Sequence, residues 1–161
     1  MNETRRHSHP RGRGHSSRPM DSNIRNMIKE IEENLSDSLL PESKTGLNSF
    51  ERKLIHRHFD HNPSFETRTY RDGERFTLFV YPVENLKKFA RTKAQESLDS
   101  GTDIELDPMG SFERYIIHNE IQEIAGVETV SVGEGKERHV KIISKKFGRG
   151  LKKIAKKIRL F

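Results

Sequence analysis

The chain has 161 residues, 31% hydrophobic and 34% charged, with no cysteine and a net charge of +6. That is room for one ordinary domain or two very small ones, with too few core formers for every segment to fold. The missing cysteines exclude disulfides, thiol nucleophiles and Cys-ligated zinc and fit a reducing, cytoplasmic setting, and no apolar run approaches the roughly 18 residues of a membrane-spanning helix.

The charge is unevenly divided. Residues 1–20 carry five Arg against one Glu, and residues 144–161 carry eight Lys/Arg and no acid. The stretch between them holds 17 Lys/Arg against 23 Asp/Glu, so a polyanion should feel the two ends first.

In chain order, residues 1–20 read as a disordered basic arm without the apolar stretch of a secretory signal. "DSNIRNMIKEIEENLSDSL" reads as a helix capped by Asp21 or Ser22, its Ile24, Met27, Ile28, Ile31 and Leu35 at helical spacing. "PESKTG" reads as a linker. "LNSFERKLIHRHF" reads as a second helix capped by Asn48 or Ser49. "FETRTYRDGERFTLFVY" reads as a hairpin turning at Asp72-Gly73.

The same order then returns. "PVENLKKFARTKAQESLDSG" predicts a helix begun by Pro82 and ended near Gly101, "TDIELDP" a linker, and "GSFERYIIHNEIQEIAG" a helix closed by Gly126. "VETVSVGEGKERHVKII" predicts a second hairpin, with "GEGK" as its turn rather than a phosphate-binding loop, since the required spacing and following helix are missing.

The octets "SFERKLIH" (49–56) and "SFERYIIH" (111–118) agree at six positions, 62 residues apart. The offset holds from Asn23/Asn85 and reads as 63 at Arg75/Arg138, where the second turn looks one residue longer. Two helix–helix–strand–strand units are therefore expected, of class α+β, packed as one body on a small, mostly antiparallel sheet. Arg75–Tyr81, apolar on both faces, is expected to be shared: the units run over 21–81 and 75–143, between the arm 1–20 and the basic tail 144–161.

Each octet ends in Arg-x-x-x-His. On a helix these residues share a face at the margin of the apolar arc, which sets a guanidinium beside an imidazole. Arg grips phosphate oxygens in pairs, and His adds a flat ring and a hydrogen bond, a combination suited to single-stranded nucleic acid.

With these motifs, Arg75–Ile143 resembles the R₃H (Arg-x-x-x-His) domain found at the C-terminus of bacterial Jag-type proteins. The resemblance rests on the "FER--IH" helix, the "VET-S-GEG" strand and the "ERHVKI" strand, which come in family order. It implies a small α/β domain that binds single-stranded nucleic acid, with Arg114 and His118 in the signature and Arg138 at a basic position of the last strand, His139 beside it. Residues 23–81 resemble the family more weakly and keep Arg52, His56 and Arg75. The KH domain that precedes the module in Jag-type proteins, with its Gly-x-x-Gly loop, has no counterpart here.

The tail carries Phe147, Leu151, Ile154, Ile158 and Phe161 on one helical stripe. Lys145, Lys146, Arg149, Lys152, Lys153, Lys156, Lys157 and Arg159 occupy most of the rest. Such a stretch suits docking on RNA or a ribosome, or peripheral contact with an anionic membrane. "HRHFDH" and "HSHPRGRGH" lack the spacing of a metal site, and no catalytic constellation is visible, so no metal, cofactor or enzymatic activity is expected. The leading expectation is a non-enzymatic binder of single-stranded RNA, with DNA as the competing strand. A ribosome- or insertase-associated accessory factor is the alternative.

Overall fold

A computed structural model describes residues 22–145. The basic arm and almost all of the basic tail expected from the sequence lie outside the described residues. The elements run α1 (Ser22–Leu35), β1 (Glu42–Thr45), α2 (Ser49–Phe59), β2 (Glu66–Asp72), β3 (Arg75–Tyr81), α3 (Val83–Ser100), β4 (Ile104–Glu105), α4 (Ser111–Gln122), β5 (Val127–Val132) and β6 (His139–Ser144). A short 3₁₀ turn, Gly135–Glu137, interrupts the last hairpin.

The helices form where the caps and periodicity put them. Asn48 caps α2 through the N–H groups of Phe50 and Glu51, while Glu51 returns a bond to the Asn48 N–H. Gly101 ends α3 in the left-handed region, its N–H on the Ser97 carbonyl. The first helix stops at Leu35, the last residue of its apolar pattern and short of the span read to residue 39, where Ser36 turns its hydroxyl onto the Glu33 carbonyl and Ser38 bonds to Leu40.

Two expectations are corrected. Both supposed linkers contain strands, β1 in "PESKTG" and β4 in "TDIELDP". And there are two antiparallel sheets of three strands, ordered β1-β3-β2 and β4-β6-β5, not one. β3 is shared in a different sense from the one expected. Its hydrogen-bonding edges are both occupied, by β1 and β2, so it offers none to the second unit. Its side chains, however, serve both. Leu78 and Val80 sit in a core with Ile24, Ile28, Ile31 and Leu35 of α1 and Ile55 and Phe59 of α2. Phe79 and Tyr81 point the other way, onto a second core built by Leu86, Ala90, Ala94, Phe112, Ile116, Ile117, Ile121, Val127, Val140 and Ile142. Each large aliphatic side chain so buried contributes about 1.5–3 kcal/mol against exposure.

The hairpin registers fix how the halves correspond. Thr67 faces Val80 as Thr129 faces Ile142, and Tyr70 faces Thr77 as Val132 faces His139. The offset of 62 therefore holds through the last strand, and the shift to 63 is corrected: Arg138 stands where the first half has Phe76, not Arg75. The first hairpin zips two pairs further, to Asp72–Arg75, and turns at Gly73. The second opens at Gly133 instead, so matching the two arginines by letter misplaces the gap.

Each half thus runs helix, strand, helix, strand, strand. The halves are stitched at the start of α3. The Glu84 N–H bonds to the Ser64 carbonyl, and the Asn85 amide reaches the carbonyls of Leu35, Ser36 and Ser38 at 2.9–3.1 Å, closing the C-terminal end of α1.

Candidate nucleic-acid interface

Helix α4 buries Phe112, Ile116, Ile117 and Ile121. Arg114 and His118 fall at the margin of that face, half-buried, as the helical spacing requires. Neither side chain stands free. His118 Nδ1 hydrogen-bonds Thr129 Oγ1 at 2.7 Å and its Nε2 bonds Ser131 Oγ at 2.9 Å. Arg114 Nη1 donates to the Met109 carbonyl at 2.7 Å.

The first half repeats this bond for bond. His56 bonds Thr67 at 2.5 Å and Thr69 at 2.9 Å, and Arg52 donates to the Leu47 carbonyl. Both nitrogens of each ring are engaged. A helix residue and two alternate residues of the adjoining strand meet there, and hydroxyls satisfy either tautomer of a neutral ring. The Arg-x-x-x-His signature is thus a clamp between helix and hairpin.

What surrounds the clamp differs between the halves. In the second, the Met109 N–H bonds the Arg138 carbonyl at 3.2 Å while the Met109 carbonyl holds Arg114, so Met109 ties the two arginines into one corner. Arg138 is exposed, and neither arginine forms an ion pair among the described residues. Past His118 runs a groove of about 420 Å³, lined by His118, Gln122, Glu128, Thr129 and Lys145 among others. Lys145 closes its far end in an ion pair with Glu128 and leads into the basic tail. Burial, and then the nearby charge of Arg114, hold the His118 pKa below its ordinary 6.5.

In the first half, at the same offset, Phe76 replaces Arg138, Asp60 replaces Gln122 and buried Val83 replaces exposed Lys145. The Arg52 guanidinium lies 4.5 Å from the Phe76 ring centre and that of Arg71 5.6 Å from it, cation–π contacts on a ring where the other half has Arg138. Arg75 stands exposed at the hairpin turn, away from Arg52 and His56.

His139 does not join the set. Its neighbour Val140 is fully buried, so His139 points to the opposite face of the sheet from the clamp, with Nδ1 on the Glu137 carbonyl and Nε2 buried without a hydrogen bond, 3.8 Å from Glu105. Of the tail, Lys145 alone is described, and Lys146, Arg149, Lys152, Lys153, Lys156, Lys157 and Arg159 lie outside. The hydroxyls of Thr67, Thr69, Thr129 and Ser131 were missed. Their only signal is a Thr-x-Thr or Thr-x-Ser pair eleven and thirteen residues after each His.

No described helix is long and apolar enough to cross a membrane. No curated protein matches the chain. Residues 84–144, from the first turn of α3 to the end of β6, match the family model of the R₃H domain, which is generally a single-stranded nucleic-acid-binding domain and not typically catalytic.

Proposed function

We propose that this chain is a non-enzymatic, cytoplasmic binder of single-stranded nucleic acid, RNA before DNA, built from two tandem R₃H-like units of which the second carries the site. The observation that carries the reading is the groove along α4 within the matched domain. The clamped His118 ring, Gln122, Glu128 and Lys145 line it, while Arg114, one turn before His118 on α4, and Arg138, joined to it through Met109, lie beyond that lining. The arginines grip phosphate and His118 holds the helix rim against β5, a positioning role. The first unit retains the clamp, but there Arg52 and Arg71 both lie on the Phe76 ring, and the positions of Arg138 and Lys145 hold Phe76 and Val83. The bond-for-bond match of the two clamps at the 62-residue offset supports the duplication. The tails add sequence-independent affinity, and the acidic remainder keeps the rest of the body off the strand.

The test is fluorescence anisotropy with a short labelled oligoribonucleotide, its DNA counterpart and a duplex of equal length. The reading expects single strands to win over duplex, with RNA tighter than DNA. Equal binding of duplex, with all affinity lost on removing 146–161, would leave only the tail. That outcome favours the second reading, an accessory factor docking through the amphipathic stripe from Phe147 to Phe161 on a ribosome or membrane surface.

A further inference from the structure

The two units meet where the N-terminal turn of α4 presses on the outer face of the first sheet. Phe112 is the contact. Its ring meets Tyr81 edge-on at 4.5 Å, and the Arg68 guanidinium lies 3.8 Å from its centre. Glu66 holds Arg68 from the side through Nε and Nη2. Over this floor opens a cavity of about 200 Å³, lined by Arg68, Tyr70, Ser111, Phe112 and Tyr115. Tyr70 and Tyr115 are large side chains left open, at 44% and 56% exposure.

Two exposed aromatic rings beside one cavity form a surface on which a flat group can stack, and hydrogen bonds to Tyr81 and Arg68 hold Tyr70 in place. Neighbours fix both: Tyr70 packs edge-on against Phe79, and Tyr115 lies nearly parallel to Phe112 at 6.1 Å. Two held phenol rings and a guanidinium over a phenyl floor are the chemistry on which unpaired bases stack. A carboxylate or bare phosphate would use Arg68 and the hydroxyls of Ser111 and the tyrosines and leave the ring faces idle.

We propose that this slot at the seam between the units receives one unpaired base of the bound single strand, a second contact separate from the α4 groove. It rests on the nucleic-acid reading above. It also gives the first unit a part in binding, since Arg68 and Tyr70 belong to β2; the corresponding residues of β5 are Val130 and Val132, so the slot exists once.

The chain has three tyrosines and no tryptophan, so its ultraviolet emission reports largely on this slot. The experiment titrates the full-length protein with a short oligouridylate, an oligothymidylate and base-free polyphosphate, following tyrosine fluorescence. The measurement is repeated on Tyr115→Ala and Tyr115→Phe, substitutions at an exposed helix position. The slot expects quenching by the oligonucleotides and not by polyphosphate, a loss of affinity of roughly 5- to 150-fold in Tyr115→Ala, and near-complete rescue in Tyr115→Phe. Tighter binding of the ribose or the deoxyribose strand identifies the source of the base, and either supports the slot. If the wild type binds both strands and Tyr115→Ala binds equally well without loss of quenching, the slot is overturned and the α4 groove stands. If the wild type binds neither oligonucleotide, both readings fall.

Discussion

The two halves carry the same clamp and different surroundings. Arg52 and His56 make the same bonds as Arg114 and His118, to residues at the same separations in the chain. Around the first clamp stand Phe76, Asp60 and buried Val83; around the second stand Arg138, Gln122 and Lys145. The lesson is that the signature residues have a structural duty in either setting, namely joining a helix to its hairpin. Binding capacity has to come from what the flanking positions add. A motif match alone would rate the halves equal.

The same comparison holds at the first apolar residue of each octet. Phe112 is 5% exposed, with Tyr81 and Arg68 of the first sheet against its ring, and Phe50 is 59% exposed, with no earlier unit among the described residues to cover it. The largest predicted effect follows. Phe112→Ala should cost about 3–5 kcal/mol by removing a buried ring and the floor under Arg68, whereas Phe50→Ala should stay within about 0.5 kcal/mol. Urea unfolding of the two variants measures the difference, and equal losses would mean that the first unit is covered as the second is.

The next effect concerns binding. Arg114→Ala combined with Arg138→Ala should weaken single-strand affinity by about tenfold or more and flatten its salt dependence by about two phosphate contacts. Arg52→Ala should leave affinity nearly unchanged, since its guanidinium is already held on Phe76. Anisotropy titrations over a range of salt decide it. A comparable loss in Arg52→Ala would show that both clamps bind and would erase the asymmetry.

How far the sequence carried this picture depended on the range of the forces involved. Caps and turns are local, so Asn48, Gly101 and the boundaries of α2 and α3 could be read directly. The two apolar faces of β3 were legible as an alternation, and their assignment to two cores is what that alternation means. Its exclusive pairing with β1 and β2 was not legible, because β1 is four residues of "ESKT" with no apolar signal and β4 is only two residues long. The helix-rim position of Arg114 and His118 followed from periodicity. Their occupation by Met109, Thr129 and Ser131 did not, since the first bond depends on the loop before α4 and the other two on the strand after it. The side that His139 takes was not legible either, because Arg138 faces solvent in the turn while His139 has already entered a strand whose next residue, buried Val140, fixes its side. The seam slot escaped notice for the same reason: Tyr70 and Tyr115 are 45 positions apart and look unremarkable singly.

The smallest predicted effect tests the clamp as a structural device. Burial, and then Arg114 one turn away, disfavour the imidazolium of His118, so its folded pKa lies below 6.5. As pH falls through 6.5, the unfolded chain takes up this proton before the folded one. The contribution of His118 to stability is therefore complete above pH 6.5. It is lost as pH falls towards the folded value, and does not change further below it. His118→Gln, which keeps a hydrogen bond to a hydroxyl and cannot titrate, should lower stability at neutral pH by about 1 kcal/mol. The gap between wild type and variant should then narrow on acidification, with Glu128 and Lys145, which share the groove, present in both proteins. Thermal unfolding of the pair across this range reads the gap directly. A gap that widens in acid would mean that the folded protein prefers the imidazolium, and the ring would then be a cation offered to phosphate rather than a neutral clamp between α4 and β5.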